Sequence, residues 1–478
     1  MTTSGSSQTA PEDRIPLIQK LAYASGMLAN NLQAAALPAI MVILNLGLGM
    51  DPRWVGVIGF APRILDALTD PMMGYISDNT RSRWGRRRPY IFIGAILAGI
   101  VFAGMWQVPT GLSDMFYVYF FFAAFVLFFL TYTVYATPFV AFGYEMTADY
   151  NERTRLHAFA NTAGQFAWLA IPWFWAFIAS EQFDGPADGA SVLALGIGIT
   201  VIVLGVIPAI FCRERVLPKP SEAPKAKSGL AANTGEFFEG LGITMKRKPF
   251  VRLCVATFLI FGGFQLASMF DLYVIRYYVF GGDDGPAGQL YGTYGTVTTL
   301  CTMGVIALTA VLAKRLGKRE AFRLTIALSI IGYGLKWIGY SRENPYLLLM
   351  TAPIVAFGVG SLFTLMGSMI SDVCDYDELE TGERREGTFG AIYWWMVKVG
   401  IALAALIGGW LLSASGFDVD LGPNQSGSAL QYIRLFNIII PMATSALAVI
   451  VMWRYEISET KAKEIRSELE SRRGKITS

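Results

Sequence analysis

Histidine is nearly absent from this chain, and charge is scarce. His157 is the single imidazole among 478 residues, and Asp, Glu, Lys and Arg together make up 16%. A soluble domain carries roughly a quarter charged residues, so the deficit points to lipid as the solvent for most of the chain. One imidazole cannot build a zinc or proton-relay site, and His157 reads as a helix-end residue. Cysteine is sparse too. Cys212, Cys254, Cys301 and Cys374 show no CxxC spacing, which leaves them as small apolar fillers rather than metal ligands or disulfides. The net charge of +3 gives no general attraction to nucleic acid. Residues 1–14 mix acidic and basic groups without an apolar core, unlike a secretory signal. HExxH and GxSxG sequences and a soluble catalytic domain are all missing, which weighs against a membrane-embedded enzyme.

What the chain has is apolar surface: 54% hydrophobic and 13% aromatic residues. A spanning helix needs about 20 mostly apolar residues. Runs of that kind cover Leu17–Leu46, Trp54–Ser77, Tyr90–Val108, Met115–Phe142, Leu156–Ser180, Val192–Cys212, Phe250–Phe280, Leu290–Leu312, Ala321–Tyr340, Tyr346–Ile370, Phe389–Ser415 and Ile433–Trp453. The expectation is an all-α membrane protein with twelve transmembrane helices. Basic residues gather in the loops Arg81 to Arg88, Arg213 to Arg252 and Lys314 to Arg323, while the alternate loops hold almost none. The positive-inside rule then puts the basic loops and both termini in the cytoplasm. Segments follow at 1–14 (N-terminal), 15–213 (six helices), 214–246 (a linker rich in Pro, Lys, Ala and Ser), 247–455 (six helices) and 456–478 (a charged tail, read as a solvated helix).

The second run carries the costliest residues. Arg63, Asp66 and Asp70 share one helix face. An ionised carboxylate at the bilayer centre costs about 3 kcal/mol even on a lenient scale. A structural ion pair from Arg63 to one aspartate leaves the other acid unexplained, so the favoured reading is cation coupling at Asp66 and Asp70. Thr69 and Thr133 can add hydroxyl oxygens. Lys398, deep in the eleventh run, is expected to face a cavity near those acids rather than to snorkel. Asp271 is open between cavity lining and a structural pair, Arg276 is a weaker case beside it, and Lys336, beside Trp337, is expected to snorkel.

Tyr393, Trp394 and Trp395 flank Lys398, and Asn30, Asn31, Gln33, Asn161, Gln165 and Gln265 are uncharged amides in or near the spans. Rings against the C–H face of a sugar and amides on its hydroxyls would bind a carbohydrate. The alternatives are interfacial tryptophans, which suit Trp54, Trp106 and Trp453, and amides that join helices. The loop with Asp78, Arg81, Arg86, Arg87 and Arg88 reads as a gate. Its expected partners are Glu145, Asp149 and Arg153 in the same half, or Asp375 and Arg384 in the other.

Two echoes divide the chain. Asp149-Tyr150-Asn-Glu152 recurs as Asp375-Tyr376-Asp-Glu378, and Gly85-Arg-Arg-Arg88 as Gly317-Lys-Arg319, six helices later. Parallel repeats of this kind resemble the two halves of major facilitator transporters.

The stretch Asp66-Ala-Leu-Thr69-Asp70-Pro-Met-Met-Gly74, the loop Arg81-Ser-Arg83-Trp-Gly85, Asp375-Tyr376 with Thr381-Gly-Glu-Arg384, and Val397-Lys398 resemble the glycoside–pentoside–hexuronide:cation symporter family across nearly the whole chain. The resemblance implies a major facilitator fold of two pseudo-symmetric six-helix halves, and Na⁺- or H⁺-coupled symport of a sugar, glycoside or sugar acid. It implies no cofactor, and a cation site at the paired aspartates with Tyr132-Thr133 beside them. A bacterial-type inner membrane, a monomer and contact with membrane lipid are expected. Three positions depart from the melibiose-permease-like pattern: Ala136-Thr137-Pro138-Phe139-Val140, Asn30-Asn31 and Asn161 stand where charged or aromatic sugar contacts are expected. The galactoside expectation weakens accordingly, and an amphipathic or lipid-like solute is the alternative.

Overall fold

The computed structural model describes residues 14–147, 150–214, 235, 239–382 and 385–473. Among them every regular element is helical. The helices are α1 (Leu17–Leu46), α2 (Pro52–Asn79), α3 (Arg88–Gly104), α4 (Asp114–Glu145), α5 (Tyr150–Ala170, continued by short turns to Ile178), α6 (Pro186–Phe211), α7 (Lys248–Tyr273), α8 (Asp284–Leu316), α9 (Lys318–Gly339), α10 (Ala352–Thr381), α11 (Glu386–Ala414), α12 (Gly427–Trp453) and α13 (Glu459–Arg473). The first twelve fall on the twelve apolar runs. Among the described residues, eight helices are long and apolar enough to cross a membrane by length and composition alone. α3 is shorter, at 17 residues, and α2 and α5 are diluted by the amides and charges singled out above.

Several helices begin earlier than their apolar runs, because a polar cap precedes the hydrophobic part. Asp283 accepts from the Gly285 amide to start α8, and Ser426 accepts from Ala429 to start α12. At the other end α10 runs eleven residues past its apolar run, from Ile370 to Thr381, and stops at Gly382 with φ 74°. α7 does not stop at Tyr273 but passes into a π-helical turn, Val274–Val279.

Two compact units emerge. One gathers the described residues up to Ile40, of Leu68–Ile171 and of Phe183–Thr234; the other gathers Met41–Ala67, Pro172–Gln182 and the described residues from Gly235 onward. The first has a core where Tyr23, Tyr135 and Phe139 stack. The core of the second runs through Phe250, Phe322, Met369, Phe389 and Tyr455. In the second unit α7 packs on α11 and α12, and α10 on α8 and α9.

Two minor readings change. Trp106 is buried against Phe121 rather than interfacial. The tail helix α13 is not freely solvated: Ile465 and Leu469 are buried, α13 packs on α10, and Lys461 lies over the Tyr376 ring. Its alternating charges hid this thin apolar stripe.

Candidate functional site

α2 is one uninterrupted helix, and its two acids have unlike surroundings. In the second unit Asp66 is 1% exposed. Its Oδ2 accepts from Lys398 Nζ at 2.9 Å and lies 3.7 Å from Arg63 Nη1. One carboxylate therefore faces two cations, which offsets its removal from water. In the first unit Asp70 is surrounded by hydroxyls. Its Oδ1 accepts from Thr137 at 3.0 Å and Thr133 at 3.3 Å, and the Thr133 hydroxyl also shares a 3.3 Å hydrogen bond with Thr69. Thr137 was not among the residues expected from sequence. It lies four residues after Thr133, on the same helix face, and that spacing was the available signal.

The gate loop is tied within its own unit. Arg87 lies 2.5 Å from Asp78 and 2.7 Å from Glu145, and Arg86 pairs with Glu145. Arg88 donates to the carbonyls of Ala209 and Ile210 at the end of α6. Glu214, which the sequence assigned to the linker, accepts from the Arg86 and Arg87 amides at 3.1 and 2.9 Å. Gly85 makes that approach possible: its φ is +102°, and a Cβ there would meet the Glu214 carboxylate at 2.7 Å. Arg81 is exposed, and Arg153 donates to the Thr147 carbonyl at 3.1 Å. Asp149 and Arg384 lie outside the described residues, and Asp375 is half-buried near the end of α10. The repeat has a physical counterpart in the second unit, where Lys318 pairs with Asp372 at 2.6 Å.

The amides and rings fall into separate groups. Asn31 packs so closely on α5 that a Cβ at Gly164 would meet its Nδ2 at 2.1 Å. Asn161 and Gln165 flank that contact, Asn161 exposed and Gln165 half-buried. Gln33 is fully buried and donates weakly to the Ala29 carbonyl at 3.3 Å. Its Oε1, like the buried Asn30 Oδ1, has no hydrogen-bond partner among the described residues. Gln265 is half-buried on α7, and Trp395 on α11. Tyr393 is largely a core residue, 5% exposed, its hydroxyl accepting from Thr257. Trp394 is 55% exposed, and with Tyr393 and residues of α10 it lines an apolar cavity of 230 Å³.

Lys336 corrects the sequence reading. It does not snorkel: it is 1% exposed and donates to Asp271 Oδ1 at 2.6 Å. The same oxygen accepts from Tyr340 and Asn437, each at 2.7 Å, so Asp271 belongs to a structural pair. The partner that holds Lys336 inside lies 65 residues earlier on α7, a distance no local pattern reports.

Residues 22–459 match the family described as MFS/sugar transport protein. The chain belongs to that family, the glycoside–pentoside–hexuronide:cation symporters of the major facilitator superfamily. It is 29% identical to the uncharacterized symporter YnaJ of Bacillus subtilis (strain 168), over 96% of each chain. It is 23% identical to the isoprimeverose transporter of Lactiplantibacillus pentosus, covering 95% of this chain and 91% of that one. The glucuronide carrier protein homolog of Escherichia coli (strain K12) is 24% identical, over 94% and 95%. Among solved structures, a D-xylose-proton symporter superposes with a TM-score of 0.64 at 15% identity, over 93% of this chain and 98% of that one, which supports the major facilitator fold. The protein is a multi-pass membrane secondary transporter for cation-coupled symport of a sugar or sugar derivative, not an enzyme.

Proposed function

We propose that the coupling ion is Na⁺, bound at Asp70 with the hydroxyls of Thr69, Thr133 and Thr137 and completed by Asp66 on the same face of α2. The contrast between the two acids carries this reading. Three hydroxyls beside one carboxylate offer the hard oxygen donors a small cation takes. A proton needs only one acceptor, and the close pair of acids alone would serve it. Lys398 and Arg63 act as resident counter-charges for Asp66. When Na⁺ arrives, Asp66 turns from the lysine to the ion, and the released Lys398 becomes available to an acidic or hydroxylated sugar.

Asn30 Oδ1 and Gln33 Oε1 support the sugar side of the proposal. Among the described residues both are buried acceptors without donors, a costly arrangement that sugar hydroxyls would relieve. With Asn31, Asn161 and Gln165 they are the proposed sugar-binding amides of the first unit; Gln265, Trp394 and Trp395 are the proposed sugar-binding groups of the second. Tyr393 supports Trp394 from the core. The basic loops face the cytoplasm with both termini, and the monomer sits among membrane lipid. The Asp78–Arg87–Glu145 cluster, with Arg81, Arg86, Arg88, Asp149 and Arg153, forms the cytoplasmic gate of the first half; Asp375 and Arg384 belong to its counterpart.

Purified protein in liposomes tests the coupling, using a panel of radiolabelled pentosides, hexosides and uronides. A Na⁺ gradient is expected to drive accumulation that Asp66→Asn and Asp70→Asn each abolish, while downhill exchange continues. Accumulation driven by a pH gradient and indifferent to Na⁺ would replace Na⁺ by H⁺ at this site. Gradient-driven accumulation retained in both single variants would remove the site altogether.

A further inference from the structure

Of the four buried cations among the described residues, Arg63, Arg87 and Lys336 each meet a carboxylate, and Arg434 does not. Arg434, on α12, is 9% exposed. Its Nη1 donates to the Tyr278 hydroxyl at 2.6 Å, and its Nη2 donates to the Trp337 carbonyl. The guanidinium lies 3.9 Å from the Trp337 ring centroid and 4.5 Å from that of Tyr278. A second arginine stands on the same ring. Arg342, just past α9, is exposed; its guanidinium lies 4.6 Å from the Tyr278 centroid, and its Nε donates to the Tyr278 carbonyl at 2.8 Å. All four residues belong to the second unit.

Helix chemistry explains the contacts but not the charge. Trp337 lies in the last turn of α9, whose final carbonyls lack helical partners, and Tyr278 lies in the π-helical turn after α7. Guanidinium donors satisfy both carbonyls, a task a neutral amide could also perform. Two cations about one ring repel each other, and burying one of them is costly without a counter-charge. Neither arginine has an acid as partner among the described residues. Asp271, the buried acid on α7, is taken by Lys336, Tyr340 and Asn437. Glu343, next to Arg342, is exposed and pairs with neither arginine.

The surface around the pair is apolar and aromatic. Trp337, Ile338, Tyr346 and Tyr432 are all exposed. Rings and arginines gathered at a helix end suit the membrane interface, where lipid phosphates lie. We infer that Arg342 and Arg434 bind the phosphate of an anionic phospholipid, with Ile338 and the open face of Trp337 against its acyl chains. Arg342 supplies exposed donors in the planar fork that fits a phosphate, and Arg434 supplies the second charge behind it. A basic pocket between spanning helices is the usual form of such a site. The bound anion offsets the charge that the protein leaves uncompensated. Neither the cation site nor the gate loop contributes a residue, so this inference stands apart from both.

Native mass spectrometry of the purified full-length protein in detergent tests it, with phosphatidylglycerol and phosphatidylcholine titrated separately. The parent should bind its first phosphatidylglycerol about tenfold more tightly than phosphatidylcholine, or better. Arg342→Gln, a change to an exposed side chain, should cut that preference about three- to fivefold, as for one partly solvated charge-assisted contact. Arg434→Gln should remove it. Arg53→Gln, which takes away an exposed arginine already paired with Asp51, should leave it unchanged, which separates a built site from net charge. If Arg434→Gln fails to fold, Arg342→Gln decides alone. Glycerol 1-phosphate in large excess should not displace the lipid; displacement would make the ligand a soluble phosphate and overturn the lipid assignment. A parent without preference overturns the site, as does folded Arg342→Gln that keeps the parent's preference or loses no more than Arg53→Gln.

Discussion

Two lysines in apolar helices each hold an aspartate, and they do so differently. Lys336 and Asp271 are sealed. Besides the 2.6 Å ion pair, Asp271 Oδ1 accepts from Tyr340 and Asn437, and the ammonium lies 5.3 to 5.9 Å from the rings of Tyr294, Tyr333 and Tyr340. Lys398 and Asp66 are held more loosely: the lysine side chain is 21% accessible, and the second cation, Arg63, stands off at 3.7 Å. A saturated pair gains nothing from exchanging partners, because each replacement must match three donors at once. A pair whose lysine is partly accessible can exchange that lysine for an ion. The accessibility of the lysine, rather than charge inside a membrane as such, separates a structural pair from a coupling one.

The comparison breaks first at Lys336. Lys336→Met leaves Asp271 buried beside neutral donors, a loss of about 3–5 kcal/mol, read as a sharply lower unfolding temperature in detergent. Adding Asp271→Leu should recover most of that loss, since an apolar pair of similar volume is often neutral. Lys398→Met should leave the unfolding temperature close to the parent while accumulation in liposomes falls more than tenfold. A large thermal loss there would make the two pairs alike. The smallest change expected is at Thr137→Val. Removing one hydroxyl from Asp70 should weaken Na⁺ binding about three- to tenfold, the equivalent of one hydrogen bond, measured as the Na⁺ concentration giving half-maximal uptake.

The helices were legible because each needs an apolar run to meet lipid, and twelve such runs were written in the chain. Their ends were less so: Asp283 and Ser426 lie outside the runs they cap, and α10 leaves the apolar pattern at Ile370 but stays helical to Gly382. At the site, Asp66, Asp70 and Lys398 stood out by their cost in a membrane, and Thr137 could have been read from its spacing to Thr133. Glu214 could not, for it reaches back 128 residues to the Arg86 amide from a stretch whose composition says linker. Lys336 was misread for a related reason: beside Trp337 near the end of a run it looks like an interfacial lysine, and only α7 and α12 together reveal its partners.

Calorimetric titration of Na⁺ into purified protein, with the parent beside Asp70→Asn and Lys398→Met, tests the central claim most directly. The parent should bind Na⁺, Asp70→Asn should bind none, and Lys398→Met should bind at least as tightly as the parent, because the resident competitor for Asp66 is gone. Na⁺ binding in Asp70→Asn equal to that of the parent would contradict the assignment of Asp70 and its three threonines as the cation site.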